Sequence, residues 1–494
     1  MLKYAAAALA ALSLSTTALA QDGEAHEARI YETRGQVEAN GETIRYTAIA
    51  GETILHDEDG NQTAAIFATN YLADGVRDPR QRPVAFVFNG GPGSASLWLH
   101  MGVFGPQRIQ LPQGPEDDGA APYEIVENLY SILDVADLVF VDPVGTGWSR
   151  PLGEAEGSDF WGVTRDAESL AQFIRIWLAE NQRWNSPKYL LGESYGTLRI
   201  GALLNELEGG YTDVGINGVA LISTVLDFRY DDTSPGNDIG YVGLMPGFAA
   251  TAWYHGKVDQ DRWNGDLEAF LEDARNWAVE EYMPALLHGV TLDPARRARV
   301  ISELSDYIGL SEDYLDRANL RVTLRRFQRE LRRDEGLSVG RLDSRFTGEE
   351  IDGVGENPGT DPSFYGIDAS YTASMLDYFT RTLEVDITDY YSTIGGVRGW
   401  EWDTGRSGGN SYINVAPWIA RAMRQNSDLR VLVTQGYYDL ATPFFAAELM
   451  FQQPGFVQDR VRFTYYEAGH MMYIHDPSLI AFSEHVREMI RGDW

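Results

Sequence analysis

Apolar and polar positions alternate along residues 28 to 75, and the alternation breaks at Asn40-Gly41 and Asp59-Gly60. That pattern predicts half-exposed antiparallel strands joined by tight turns. From Pro83 onward the alternation disappears. Pro83–Phe88, Leu138–Val141, Tyr189–Leu191 and Gly218–Ile222 are short, uninterrupted apolar runs, as expected of strands covered on both faces in a parallel sheet. Helical spacing from about Trp161 to Ala179 places Trp161, Leu170, Phe173, Ile174 and Trp177 on one face, and Leu198 to Leu207 predicts a second helix.

Strands that alternate with helices imply an α/β chain with a central, mostly parallel sheet. Between about residue 228 and residue 399 strand signals fade, and helical segments are expected near 262–280, 294–307 and 320–333. Sheet character returns with Val431–Thr434 and Val461–Tyr466 before a closing helix from Pro477 to Arg491. The expected layout is therefore a core in two parts, residues 21–228 and 400–494, interrupted by a largely helical cap at 229–399. Two polar, glycine-rich loops, 353–362 and 405–410, lie beyond the cap helices.

Composition narrows the function. Lys3, the apolar stretch Ala5–Leu12 and the small residues Ala18-Leu19-Ala20 read as a secretory signal peptide over residues 1–20, too short for a membrane anchor. The mature chain is expected outside the cytoplasm, periplasmic or extracellular. Cysteine is absent and the formal net charge is −33, so disulfides and thiolate metal sites are excluded and nucleic acid is not an expected partner. No metal or cofactor is expected.

Gly192-Glu193-Ser194-Tyr195-Gly196 follows an apolar strand and precedes the apolar helix. Strand, sharp turn and helix around G-x-S-x-G form the nucleophile elbow of an α/β-hydrolase, with Ser194 at its tip; an ordinary strand-to-helix turn is the plainer alternative. Upstream, the strand ending at Phe88 runs into Asn89-Gly90-Gly91-Pro92-Gly93, a loop able to turn backbone N–H groups toward a bound oxygen. Downstream, Asp439 and His470 each follow a late strand, in the chain order Ser, acid, base. Serine is a poor nucleophile until an imidazole takes its proton, and the imidazole needs a carboxylate to hold its tautomer.

These residues together resemble the serine carboxypeptidases of the S10 type. The resemblance rests on Asn89 to Gly93, Val141 to Ser149, Gly192 to Gly196, Gly436 to Asp439, and Gly469-His470-Met471. It implies hydrolysis of peptides from a free C-terminus with Ser194, Asp439 and His470 as triad, Gly91 and Tyr195 as oxyanion donors, and Asn89, Gly90 and Glu193 at the substrate's terminal carboxylate. In that family the residue matching Glu193 donates when protonated, and it pairs with a second glutamate. Here Val103 stands in the second position, Val87 replaces a tryptophan before Asn89, and Ser94 replaces a cysteine. The carboxylate clamp is thus only partly present, and an esterase or acyltransferase, or a binding protein without turnover, remain alternative readings.

Overall fold

The computed structural model describes residues 25–210, 213–402 and 412–494. The expected signal peptide and the 405–410 loop lie outside the described residues. A ten-stranded sheet organises the chain. Its strands are β1 (Ile30–Ala39), β2 (Glu42–His56), β3 (Gln62–Ala73), β4 (Val84–Phe88), β5 (Asp137–Val141), β6 (Lys188–Glu193), β7 (Gly218–Ile222), β8 (Arg430–Gly436) and β9 (Val461–Tyr466), with the short strand Arg150–Pro151 paired to β3. They lie in the order β1-β2-β3-β5-β4-β6-β7-β8-β9. The first three are antiparallel, and so is the junction of β3 with β5; every pairing from β5 to β9 along that order is parallel.

The first hairpin forms where the turn signal stands. Ala39 pairs with Glu42 across Asn40 (φ 51°) and Gly41 (φ 79°), the left-handed pair whose twist matches that of the flanking strands. In the inner strands β4, β5, β6 and β7 every position is buried on one face or the other. Ala85 and Val87 of β4 join a cluster with Ala220, Ile222 and Leu432, while Val84, Phe86 and Phe88 join the opposite cluster with Val219, Leu221 and Val433. Helices cover both faces: α1 (Val163–Glu180) and α2 (Tyr195–Leu207) on one, and the Asp368–Arg381 and Asp476–Arg491 helices on the other. Two-sided burial is why these strands read as unbroken apolar runs.

Between β7 and β8 the chain is mainly helical. Residues from Tyr241 to Val339 form a third apolar cluster that reaches down to Tyr437, Tyr438, Leu440, Phe444 and Phe445 beyond β8. Its central helix, Asp238–Tyr254, is buried from Gly240 to Trp253 and carries Pro246; apolar on all sides, it shows no helical period in the sequence. The helix expected near 262–280 splits. A short turn ends at Asn264 in the left-handed conformation, and Asp266 caps a new helix, Leu267–Trp277, through Ala269 N. The segment expected at 320–333 shortens to Leu324–Glu330 because Asn319 and Leu320 both take positive φ. Among the described residues no helix is long and apolar enough to cross a membrane.

Candidate active site

β4 lies at the centre with β5 on one side and β6 on the other, so the chain winds outward in both directions and the loops at the carboxyl ends of these strands diverge. A crevice opens there. Asn89 leaves β4, Ser194 leaves β6, Asp439 follows β8 and His470 follows β9.

Ser194 has φ 60° and ψ −129°, a left-handed conformation rare for a residue with a side chain, and α2 starts at the next residue. Its backbone N donates to Ile222 O at 2.9 Å, tying the elbow to β7. The glycines around it are required by contact. A Cβ on Gly192 would lie 2.4 Å from Gly196 O, and one on Gly90 would lie 2.6 Å from Tyr195 N. The Asn89–Gly93 loop therefore rests directly on the elbow. Tyr195 is the first residue of α2, where opening N–H groups have no partner inside the helix. Gly91, at φ 102°, shares the cavity with Ser194.

His470 Nδ1 lies 2.7 Å from Asp439 Oδ2. Asp439 is fully buried, and its other oxygen accepts from the N–H groups of Ala441 (2.7 Å) and Thr442 (3.0 Å). The Thr442 hydroxyl donates to Asp439 Oδ2 at 2.6 Å and stands 3.2 Å from the ring nitrogen. The imidazole is held from behind as well: His470 N donates to Leu342 O and Ser223 Oγ donates to His470 O, each at 2.6 Å. Burial acts to lower the His470 pKa, but the charge and hydrogen bond of Asp439 outweigh it and the net shift is upward. A His fixed by a buried carboxylate and lining the same cavity as a serine at positive φ is the kind of group that serves in proton transfer.

Glu193 is buried beside the serine. Its Oε1 accepts from Asn89 Nδ2 at 3.0 Å, and its Oε2 accepts from the Tyr473 hydroxyl at 2.6 Å. Asn89 is oriented by Leu99 N, which donates to its Oδ1 at 3.0 Å. Burial pushes the Glu193 carboxyl up to about 7, although the His470 charge and the Tyr473 and Asn89 hydrogen bonds pull it down. Val103 is buried within the turn His100–Phe104, and Gly102 beside it packs against the Tyr473 ring. In this chain a phenol, not a second carboxyl, faces Glu193.

Behind the loop, the fully buried guanidinium of Arg199 on α2 pairs with Asp166 of α1 at 2.6 Å and also donates to Asn89 O. This ion pair anchors the loop to both helices. Nothing in a one-dimensional pattern links Asp166 to Arg199. Tyr473 and Thr442 each stand three positions after an expected site residue, a spacing that in a helical turn brings side chains to one side, and that was the only signal for them.

The cavity, about 130 Å³, is lined by the polar residues Asn89, Glu193, Ser194, His470 and Arg341 and by the apolar residues Trp98, Phe364, Ile394 and Met471, among others. Arg326, Arg329, Arg332 and Arg333 do not line it. Arg326 pairs with Glu356, Arg333 with Glu330, Arg332 with Glu335, and Arg329 and Arg333 donate to the carbonyls of Asp352, Gly353 and Gly355. Their work is to hold the 350–356 loop. Among the described residues no cluster of three or more His, Asp or Glu could hold a metal ion.

Residues 61–279 match the family model of the serine carboxypeptidases, Peptidase S10. Curated relatives include serine carboxypeptidase-like 2 of Arabidopsis thaliana, 28% identical over 173 residues, and serine carboxypeptidase-like 7 of the same plant, 30% identical over 144 residues. These alignments cover 33% and 28% of this chain and only 37% and 31% of the relatives' own lengths. Among solved structures, Kex1(Δ)p of Saccharomyces cerevisiae, a prohormone-processing carboxypeptidase, superposes with a TM-score of 0.55 at 14% identity, covering 91% of this chain and 92% of that one. The likeness shows a shared α/β-hydrolase fold.

Proposed function

We propose that the chain is a serine carboxypeptidase: a hydrolase that releases C-terminal residues from peptides through an acyl-enzyme. The observation that carries this reading is the Asp439–His470 hydrogen bond opening on the cavity that also contains Ser194, Gly91 and Asn89, within a chain whose residues 61–279 match the serine carboxypeptidase family. Ser194 Oγ attacks the scissile carbonyl carbon while His470 Nε2 takes its proton. The oxyanion is received by the N–H groups of Gly91 and Tyr195. His470 then gives the proton to the departing amine, the C–N bond breaks, and an ester to Ser194 remains. Water, deprotonated by the same ring, cleaves that ester and returns the serine.

Asn89, Gly90 and Glu193 are assigned to the substrate's terminal carboxylate, and the apolar wall of Trp98, Phe364, Ile394 and Met471 to an apolar side chain beside the scissile bond. Residues 229–399 act as the cap over this site. The chain is taken to be exported by its first twenty residues and to work in the periplasm or outside the cell, on peptides rather than nucleic acid. The replacement of the second clamp glutamate by Val103 favours one competing reading, an esterase or acyltransferase that needs no free carboxylate.

The test is product analysis. A fluorophosphonate probe should label Ser194, and a peptide with a free C-terminus should lose its last residue much faster than the same peptide amidated at that end. Equal rates on the two peptides would sink the carboxypeptidase assignment in favour of the esterase.

A further inference from the structure

Arg341 is the one permanent cation among the residues lining the cavity. It is exposed, and among the described residues its guanidinium makes no hydrogen bond or ion pair. The arginines at 326, 329, 332 and 333 are engaged with Glu356, Glu330, Glu335 and backbone carbonyls, while the exposed Arg325 makes no such contact among the described residues and does not line the cavity. In a chain of net charge −33 an exposed arginine that lines a cavity and has Asp231 near it only as a charge, without a hydrogen bond, is available to an incoming anion.

Its backbone is built into the site. Arg341 N donates to Asp361 Oδ1 at 3.0 Å, Leu440 N donates to Arg341 O at 3.1 Å, and the next residue's carbonyl receives His470 N. The peptide bearing Arg341 thus bridges the loop after Asp439 and the loop holding the imidazole. Its charge is felt at His470, where it opposes protonation of the ring.

In the same cavity, the expected reader of a substrate carboxylate is occupied. Burial raises the Glu193 pKa, but both its oxygens already accept from protein donors, Asn89 Nδ2 and the Tyr473 hydroxyl, which leaves less of it free to donate outward. Where two carboxyls share a proton, one of them is kept neutral; a phenol has no such effect. A site of this kind needs another donor to hold an anion.

Resting on the carboxypeptidase reading, we infer that Arg341 is a further binding residue for the substrate's C-terminal carboxylate, supplying beside Asn89 and Gly90 the donor that the missing second glutamate leaves open. A planar guanidinium offers two parallel N–H donors to a carboxylate and needs no acidic medium to do so. A single carboxylate suits the site better than a dianion, because the acid Glu193 lines the same cavity.

The experiment compares one peptide as free acid and as C-terminal amide, in the parent enzyme and in Arg341→Gln, by the ratio of kcat/KM values. Loss of a charge-assisted pair should lower that ratio by about 10- to 100-fold, mainly through KM for the free acid, and Arg341→Lys should restore part of it. Probe labelling of Ser194 establishes that each variant is folded. A ratio that survives Arg341→Gln overturns this inference while leaving the carboxypeptidase reading intact. A parent enzyme that does not distinguish acid from amide overturns both.

Discussion

The Tyr473 hydroxyl donates to Glu193 Oε2 at 2.6 Å, from the short turn that follows His470. The two residues are 280 positions apart in the chain, yet this contact, after burial and the His470 charge, bears on the ionisation of the acid next to the nucleophile. Burial drives Glu193 up to about 7, and Tyr473 restrains it. A carboxyl whose folded pKa is raised favours the folded state in acid, and that contribution is lost as pH rises through the folded pKa.

The pH dependence of stability should therefore change in Glu193→Gln. Between about pH 5 and about pH 8 the parent loses up to about 3 kcal/mol through this group, and the glutamine variant should show a smaller fall in Tm across that range. Tyr473→Phe should move the Glu193 titration further up. Thermal melts at closely spaced pH values check both; identical profiles for parent and Glu193→Gln would show that the acid titrates normally in the fold.

Ser194→Ala should abolish fluorophosphonate labelling and reduce turnover by at least about 10⁴-fold, with circular dichroism unchanged. Activity within about tenfold of the parent would remove Ser194 from the chemistry.

Asp439→Asn keeps the shape of the acid but reverses its preference, since an amide NH2 cannot accept from the His470 Nδ1–H. With Thr442 and two backbone N–H groups already aimed at that side chain, the geometry should survive and kcat should fall by about 10⁴. Stopped assays with an activated ester measure it, and a loss below about tenfold would mean that the ring is oriented by Thr442 alone.

Asp166→Ala leaves the Arg199 guanidinium buried without its counter-charge. Stability should drop by about 3–5 kcal/mol, read by denaturant unfolding, and the Asn89 loop that Arg199 supports should loosen, so that kcat/KM falls as well. A variant as stable as the parent would mean that water or rearrangement satisfies the arginine.

The amino-acid order by itself determined the alternation of strand and helix, because strands buried on both faces must be apolar throughout and their turns must carry Gly, Asn or Asp. It also singled out the G-x-S-x-G turn, the Asn89–Gly93 loop, and an acid and a histidine after late strands, since each sits at a strand's carboxyl end where pattern changes to punctuation. Tertiary structure alone decided what surrounds them. The Asp238–Tyr254 helix is buried on every side and has no amphipathic period to reveal it. Arg199 reaches Asp166, Tyr473 reaches Glu193, and Arg341 arrives at the cavity without a hydrogen bond or ion pair among the described residues, only because a parallel sheet gathers distant loops at one edge. Contacts of that kind depend on distance in space, and spacing along the chain carries no record of them.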